Sequence, residues 1–435
     1  MPFPHPTIGS CIGAYAPNEP GCRPADADRI DAKLASEGDG SPTQPAVQHM
    51  TEVRTTRLGG ATSDWRHWQP KILPVWAVTI LVLGLSTVAL AVLDSQLGAP
   101  EGSLGLSWFG GSLTLGLGLC GTVLAVARSR RYVRFLLAFT TTVVGVLAAM
   151  GFILLSGQDS LASFDPFATP LLGASIAGCV ALCLSLACFV PAVRRLLTHF
   201  LPMQPDDFVH AISVAWTVQV IAWVVLSFVP FNRPLLYVLY ETDMDSLASS
   251  ETATLVSLCS TLVWSIPAAL LAIGFPLTRN LGCALRRLGL AQVRWRGLGI
   301  GVAIGIGLAV FIILAEQWIV SLVEQTGLPM TETELFEELA SLPTSLIGAI
   351  LLGLSAGTSE ELLVRGVLQP RLGIVLANLV FAMAHGLQYG ADGLLVVFLL
   401  GLLFGIVRLR LGLAPAIMAH AVYDIVLVVA YQWST

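Results

Sequence analysis

The chain has 435 residues, of which 55% are apolar and only 12% charged, with a net charge of −5 and a mean hydropathy of +0.78. Soluble domains carry about 25% charged residues, so a water-soluble globule is excluded, and without a basic block nucleic acid is excluded as a partner. The apolar residues come in continuous runs of the roughly 20 residues that an α-helix needs to cross hydrocarbon; a transmembrane barrel would instead alternate in segments of about ten. The expected fold is therefore all-α, a polytopic membrane bundle of about eleven transmembrane helices.

In chain order, residues 1–70 are rich in Pro, Gly, Asp and Ser and read as a polar, disordered cytoplasmic tail. Residues 1–20 have neither the positive n-region nor the apolar h-region of a signal peptide, and Met50 is a second candidate start. Helices are predicted over 72–93, 104–127, 132–156, 169–193, 209–230, 253–277, 298–323, 346–369, 373–388, 393–409 and 412–431. A basic loop at 278–297 divides a six-helix region, 71–297, to which the sequence assigns no role, from a C-terminal membrane core at 298–435. The eight cysteines are scattered without a CxxC and read as small apolar packing residues.

Charge placement supports the helix assignments. Arg54, Arg57, Arg66 and Lys71 precede the first predicted helix. Arg128, Arg130, Arg131 and Arg134 follow the second, and Arg194 and Arg195 the fourth. Arg279, Arg286, Arg287, Arg294 and Arg296 follow the sixth, Arg371 the eighth, and Arg408 and Arg410 the tenth. The alternate loops hold only Arg233 and are acidic instead. Lys and Arg mark cytoplasmic loops, so the expected protein is a multi-pass cell-membrane protein with a cytoplasmic N-terminus and an external C-terminus.

Nearly all deep ionisable residues lie in the last five predicted helices. Glu360, Glu361 and Arg365 sit in an apolar run, where each charge costs about 2.5–3.5 kcal/mol at a helix centre. Glu361 and Arg365, spaced i,i+4, can pair on one face, and a structural ion pair explains them. Glu360 points about 100° away on a helix and lacks that partner; a lone buried carboxylate is a candidate base for activating water. His385 follows Phe381 by one turn, and His420 shares a face with Asp424, a carboxylate able to orient its ring. Either histidine alone is equally well read as a structural hydrogen-bonding group. Counted from Arg371 and Arg410 at 1.5 Å per residue, Glu360, His385 and His420 all lie roughly 15–21 Å deep. Three helices thus place polar groups at one level, which points to a single buried site. Glu316 and Gln317 fall near the external end of their helix and read as interfacial.

These residues spell three motifs in order, EExxxR at Glu360–Arg365, FxxxH at Phe381–His385 and HxxxD at His420–Asp424. Over about residues 298–431 the chain resembles the CPBP, or ABI, family of intramembrane proteases, which includes CAAX prenyl endopeptidases and bacterial bacteriocin-processing and self-immunity proteins. The resemblance implies that Glu360 is the base that activates water and His385 its partner, with His420 and Asp424 polarising the scissile carbonyl or holding the oxyanion. Glu361, Arg365 and Phe381 would support the site. An ionised Asp cannot donate to an oxyanion, so Asp424 is protonated there, binds a metal, or orients His420. Within the resemblance two mechanisms stay open: a zinc-type ion held by Glu360, His385 and His420, or the glutamate acting without metal.

The expected function is intramembrane endopeptidase, hydrolysing a peptide bond of a membrane-associated or lipidated protein or peptide, with membrane lipid as its surroundings. A proton-coupled transporter fits mid-membrane acids and histidines, and a non-catalytic membrane scaffold is a third reading; against the transporter, no internal repeat is visible.

Overall fold

The computed structural model describes residues 131–156, 169–201, 203–231, 251–277, 279–291, 293–332 and 345–434, with isolated helical positions at 74, 78, 81, 85 and 123. Among the described residues the chain is entirely helical. In order come α1 (Arg131–Ser156), α2 (Thr169–Ala187), α3 (Pro191–Leu197), α4 (Phe208–Phe231), α5 (Glu251–Ala272), α6 (Leu281–Leu288), α7 (Trp295–Glu324) and α8 (Leu346–Glu360). A π-helical stretch (Glu361–Leu368) follows, then α9 (Gln369–Ala384), a 3-10 turn (His385–Leu387), α10 (Ala391–Arg410) and α11 (Leu413–Ser434).

Among the described residues four helical stretches are long and apolar enough to cross a membrane, Trp295–Glu324, Leu346–Ala384, Ala391–Arg410 and Leu413–Gln432, or five if a bent pair is one span. The chain is thus a membrane protein by length and composition of its helices. This set covers only the described residues, and part of the expected eleven spans lies outside them. The expected helices at 72–93 and 104–127 lie outside the described residues, apart from the isolated positions.

Several boundaries differ from expectation for local reasons. The expected helix 169–193 is broken: Ala187 and Pro191 flank a bend of 91°. Pro191 lacks an N–H and disfavours helical backbone at the residue before it, and Val190 is accordingly extended (φ −79°, ψ 125°). The helix expected to run to 277 stops at Ala272, and the chain turns at Gly274, whose φ is 95°. The basic loop contains α6, unforeseen in the sequence, which is capped by Asn280 accepting from the Cys283 backbone N–H and closed by Gly289 in the left-handed region. Cys179, Cys183, Cys188 and Cys259 are free thiols, whereas Cys283 is disulfide-bonded, against the reading of all cysteines as packing residues.

The protein turns its large apolar side chains outward and its small ones inward. On α7, Phe311, Leu314 and Trp318 are exposed while Gly301, Gly305 and Ala309 are buried. Between helices in lipid, close backbone approach replaces the hydrophobic effect as the source of packing energy. Helix α11 is gripped in this way from two sides. A Cβ on Gly305 would lie 2.5 Å from the Ala419 carbonyl, and one on Gly357 2.7 Å from the Ala421 nitrogen. Gly301 and Gly353, each one turn earlier on its helix, face Pro415 and Ala421 in the same manner.

Three buried clusters make up the core, and two of them include residues of the π stretch. Cys188, Met203, Val214 and Ala215 pack with Val364, Leu372, Ala377 and Phe381. Ala269, Ile273, Ala284 and Leu288 pack with Leu362, Val367 and Leu413. Ala309, Leu400, Phe404, Ala419 and Tyr423 form the third. Residues on α4, α5 and α6, with Cys188 just past the end of α2, therefore belong to the same packing as the C-terminal core. At one end of the bundle, arginines tie the helix ends: Arg371 and Arg279 donate to the Ala272 and Ile273 carbonyls, and Arg408 to that of Leu288. Cations at helix C-termini satisfy carbonyls that have no partner within the helix.

Candidate active site

The two glutamates straddle a change of backbone. Glu360 is the last α-helical residue of α8 and Glu361 the first of the π stretch. Wider π turns are rare and recur at functional sites. Here the stretch keeps Glu361 and Arg365 as an i,i+4 ion pair at 3.0 Å, with both side chains wholly buried. Isolated charges do not survive such burial, and this pair is not isolated. The Arg365 Nη2 donates to the Gly401 carbonyl at 2.9 Å and to Asn378 Oδ1 at 3.5 Å, and its guanidinium lies 4.4 Å over the Phe381 ring. Asn378 in turn donates to the Phe398 carbonyl at 2.7 Å.

Glu361 Oε1 also lies 3.0 Å from Nδ1 of His420. An ionised carboxylate only accepts, so the proton belongs on Nδ1 and Nε2 is left to face the site. That nitrogen is 3.8 Å from Glu360 Oε2 and 3.6 Å from Asp424 Oδ2. Asp424 thus sits on the open side of the ring, and the carboxylate on the far nitrogen, the place anticipated for Asp424, is Glu361. The His420 ring is sandwiched flat against Phe404, with centroids 4.6 Å apart and planes 17° apart.

His385 is not inside a helix, as its predicted span implied, but opens the 3-10 turn that ends α9. Its Nδ1 lies 3.0 Å from the Phe381 carbonyl, which assigns the proton to that nitrogen and leaves Nε2 facing Glu360 Oε1 at 3.8 Å. Phe381 meets the His385 ring edge-on at 4.8 Å, and Tyr389 stacks on its other side at 6.0 Å. Glu360 and His385 retain 30% and 18% exposure, whereas Glu361 and Arg365 have none to speak of. The structure therefore divides the set in two: Glu360, His385, His420 and Asp424 converge on one site, open at Glu360 and His385, and Glu361, Arg365 and Phe381 form the buried frame behind it. Glu316 and Gln317 are exposed on α7.

Phe404, Asn378, Gly401 and Tyr389 complete the frame and were not singled out in the sequence. A buried Asn in the apolar run before His385 was the one available signal; Phe404 and Gly401 look like ordinary membrane-helix residues.

Glu360, His385 and His420 are the candidate metal ligands of this arrangement. Its donor chemistry, two imidazoles and a carboxylate, is of the right kind, but among the described residues no three His, Cys, Asp or Glu side chains are placed to share an ion. The residues as placed do not fit a metal.

Residues 342–426 match the family model described as type II CAAX prenyl endopeptidase Rce1-like. No curated protein and no solved structure matches the chain. The Rce1-like segment contains every residue of the convergent set, from Glu360 to Asp424, and its backing frame. Similarity to an endopeptidase family supports a hydrolase reading for this part of the chain, and the apolar helices agree with a membrane protein.

Proposed function

We propose that the protein is a multi-pass intramembrane endopeptidase in which Glu360 activates the attacking water. The observation that carries this reading is the position of the Glu360 carboxylate between the Nε2 atoms of His385 and His420, 3.8 Å from each. That spacing is too long for direct hydrogen bonds and suits a shared water, which would sit about 2.8 Å from each heavy atom.

In this reading the water gives its proton to Glu360 as its oxygen attacks the scissile carbonyl carbon. His385, with Nδ1 fixed by the Phe381 carbonyl, orients the water through Nε2. His420, when it carries a proton on Nε2, donates to the developing oxyanion, while Glu361 keeps its ring in place from behind. Collapse of the tetrahedral intermediate expels the amine, which takes the proton from Glu360. The substrate class that fits a site framed by membrane helices is a membrane-associated or lipidated peptide. The charge asymmetry of the loops supports a cytoplasmic N-terminus.

The test is incubation of the full chain, reconstituted in lipid, with a peptide library whose members carry a lipid group or one apolar span, followed by mass spectrometry for new termini. Cleavage by the wild type that disappears in Glu360→Gln is expected. Equal cleavage by the variant would overturn the proposal.

A further inference from the structure

Five arginines and no acid lie in residues 278–297, and they divide by use. Arg279 caps the turn after α5, and Arg287 donates to the Gly366 carbonyl at 3.4 Å. Arg294 and Arg296 instead flank Trp295 at the start of α7. All three side chains are exposed, Trp295 at 86%, and among the described residues neither arginine has an ion-pair or hydrogen-bond partner.

The length of α7 fixes the level of this group. Its 30 residues span about 45 Å at 1.5 Å each, longer than the hydrocarbon core of about 30 Å and equal to a bilayer counted with its headgroups. A helix whose middle bears exposed Phe311, Leu314 and Trp318 must face lipid there, so Trp295 and its neighbours fall in the headgroup layer. Tryptophan belongs at that depth because its ring is apolar and its N–H polar. Val293, next to Arg294 in the chain and about half exposed, extends the apolar part of the ledge.

We propose that Arg294, Trp295 and Arg296 form a docking ledge selective for anionic phospholipid headgroups. The two guanidinium groups complement a phosphate with a further negative charge in its headgroup, and the indole seats the adjoining glycerol and acyl region. A zwitterionic lipid offers the same phosphate but cancels part of its attraction with its own cation.

The test uses the full-length protein in nanodiscs of mixed phosphatidylcholine and phosphatidylglycerol, with native mass spectrometry of the lipids retained after release. The wild type is expected to retain phosphatidylglycerol preferentially. Arg294→Gln/Arg296→Gln should weaken that preference about five-fold per arginine, Arg294→Lys/Arg296→Lys should keep most of it, and Arg195→Gln, at an exposed arginine elsewhere in the chain, should leave it unchanged. Equal retention of both lipids by the wild type would overturn the proposal, as would an equal loss in Arg195→Gln. A melting temperature equal to wild type in each variant separates loss of the ledge from loss of the fold.

Discussion

Arg365 Nη1 and His420 Nδ1 both lie 3.0 Å from Oε1 of Glu361, the first as its ion-pair partner and the second as a hydrogen-bond donor. The second acid of the pair is thereby a positioning group for the imidazole on α11, and it links the π stretch to α11 through a wholly buried contact. Glu360, one residue earlier on α8, makes no such bond and keeps its carboxylate facing the accessible space.

The two glutamates should therefore fail differently. Glu361→Ala leaves the Arg365 guanidinium buried without its counter-ion, a loss that costs about 3–5 kcal/mol where buried pairs have been broken. A large fall in melting temperature in detergent is expected, together with loss of any activity. A melting temperature within error of wild type would contradict the structural role given to this pair.

Glu360→Gln removes a charge but no hydrogen bond shorter than 3.5 Å. The fold should melt at the wild-type temperature while peptide cleavage falls by about 10²–10⁴, the usual worth of a positioned general base. An inactive variant that also unfolds would mean that Glu360 is a structural residue.

Why some of this was legible follows from the cost of charge in lipid. Glu360, His385 and His420 stood out because ionisable groups in apolar runs are rare and expensive, and helical rise was enough to place them at a common depth. Their convergence on one carboxylate agrees with that count. The grip of Glu361 on His420 was not legible, because it depends on a π stretch that begins at Glu361 and leaves no mark in composition. Asn378 and Gly401 escaped notice because their importance arises only when α9 and α10 bring them to Arg365. The bend at Pro191 is different: the signal was in the sequence, but an unbroken apolar run outweighed it.

Gly401 should tolerate no side chain. A Cβ there would overlap Asn378 Oδ1 and lie 2.8 Å from Arg365 Nη2, and the guanidinium has nowhere to withdraw because Phe381 covers its face. Gly401→Val should destabilise the protein by about 1–3 kcal/mol, the usual cost of overpacking, and more if the Arg365 bond to the Gly401 carbonyl is lost. Wild-type melting in this variant would show that α9 and α10 part easily and that the buried frame is not rigid.

Chelation addresses the metal directly. Donor atoms on one tetrahedral zinc ion, each about 2.0–2.1 Å from it, are separated by about 3.4 Å, and the carboxylate oxygens of Glu360 stand 3.8 Å from both imidazole Nε2 atoms. His420 is held on both sides, by Glu361 at Nδ1 and by the flat packing of its ring on Phe404, so the imidazole does not readily move toward a metal. Peptide cleavage should thus survive prolonged dialysis against a zinc chelator, and metal analysis of the purified protein should find less than one equivalent. Stoichiometric zinc that is lost in His385→Ala/His420→Ala, with activity lost on chelation and restored by the metal, would instead require the site to tighten around an ion and would replace the glutamate-driven mechanism.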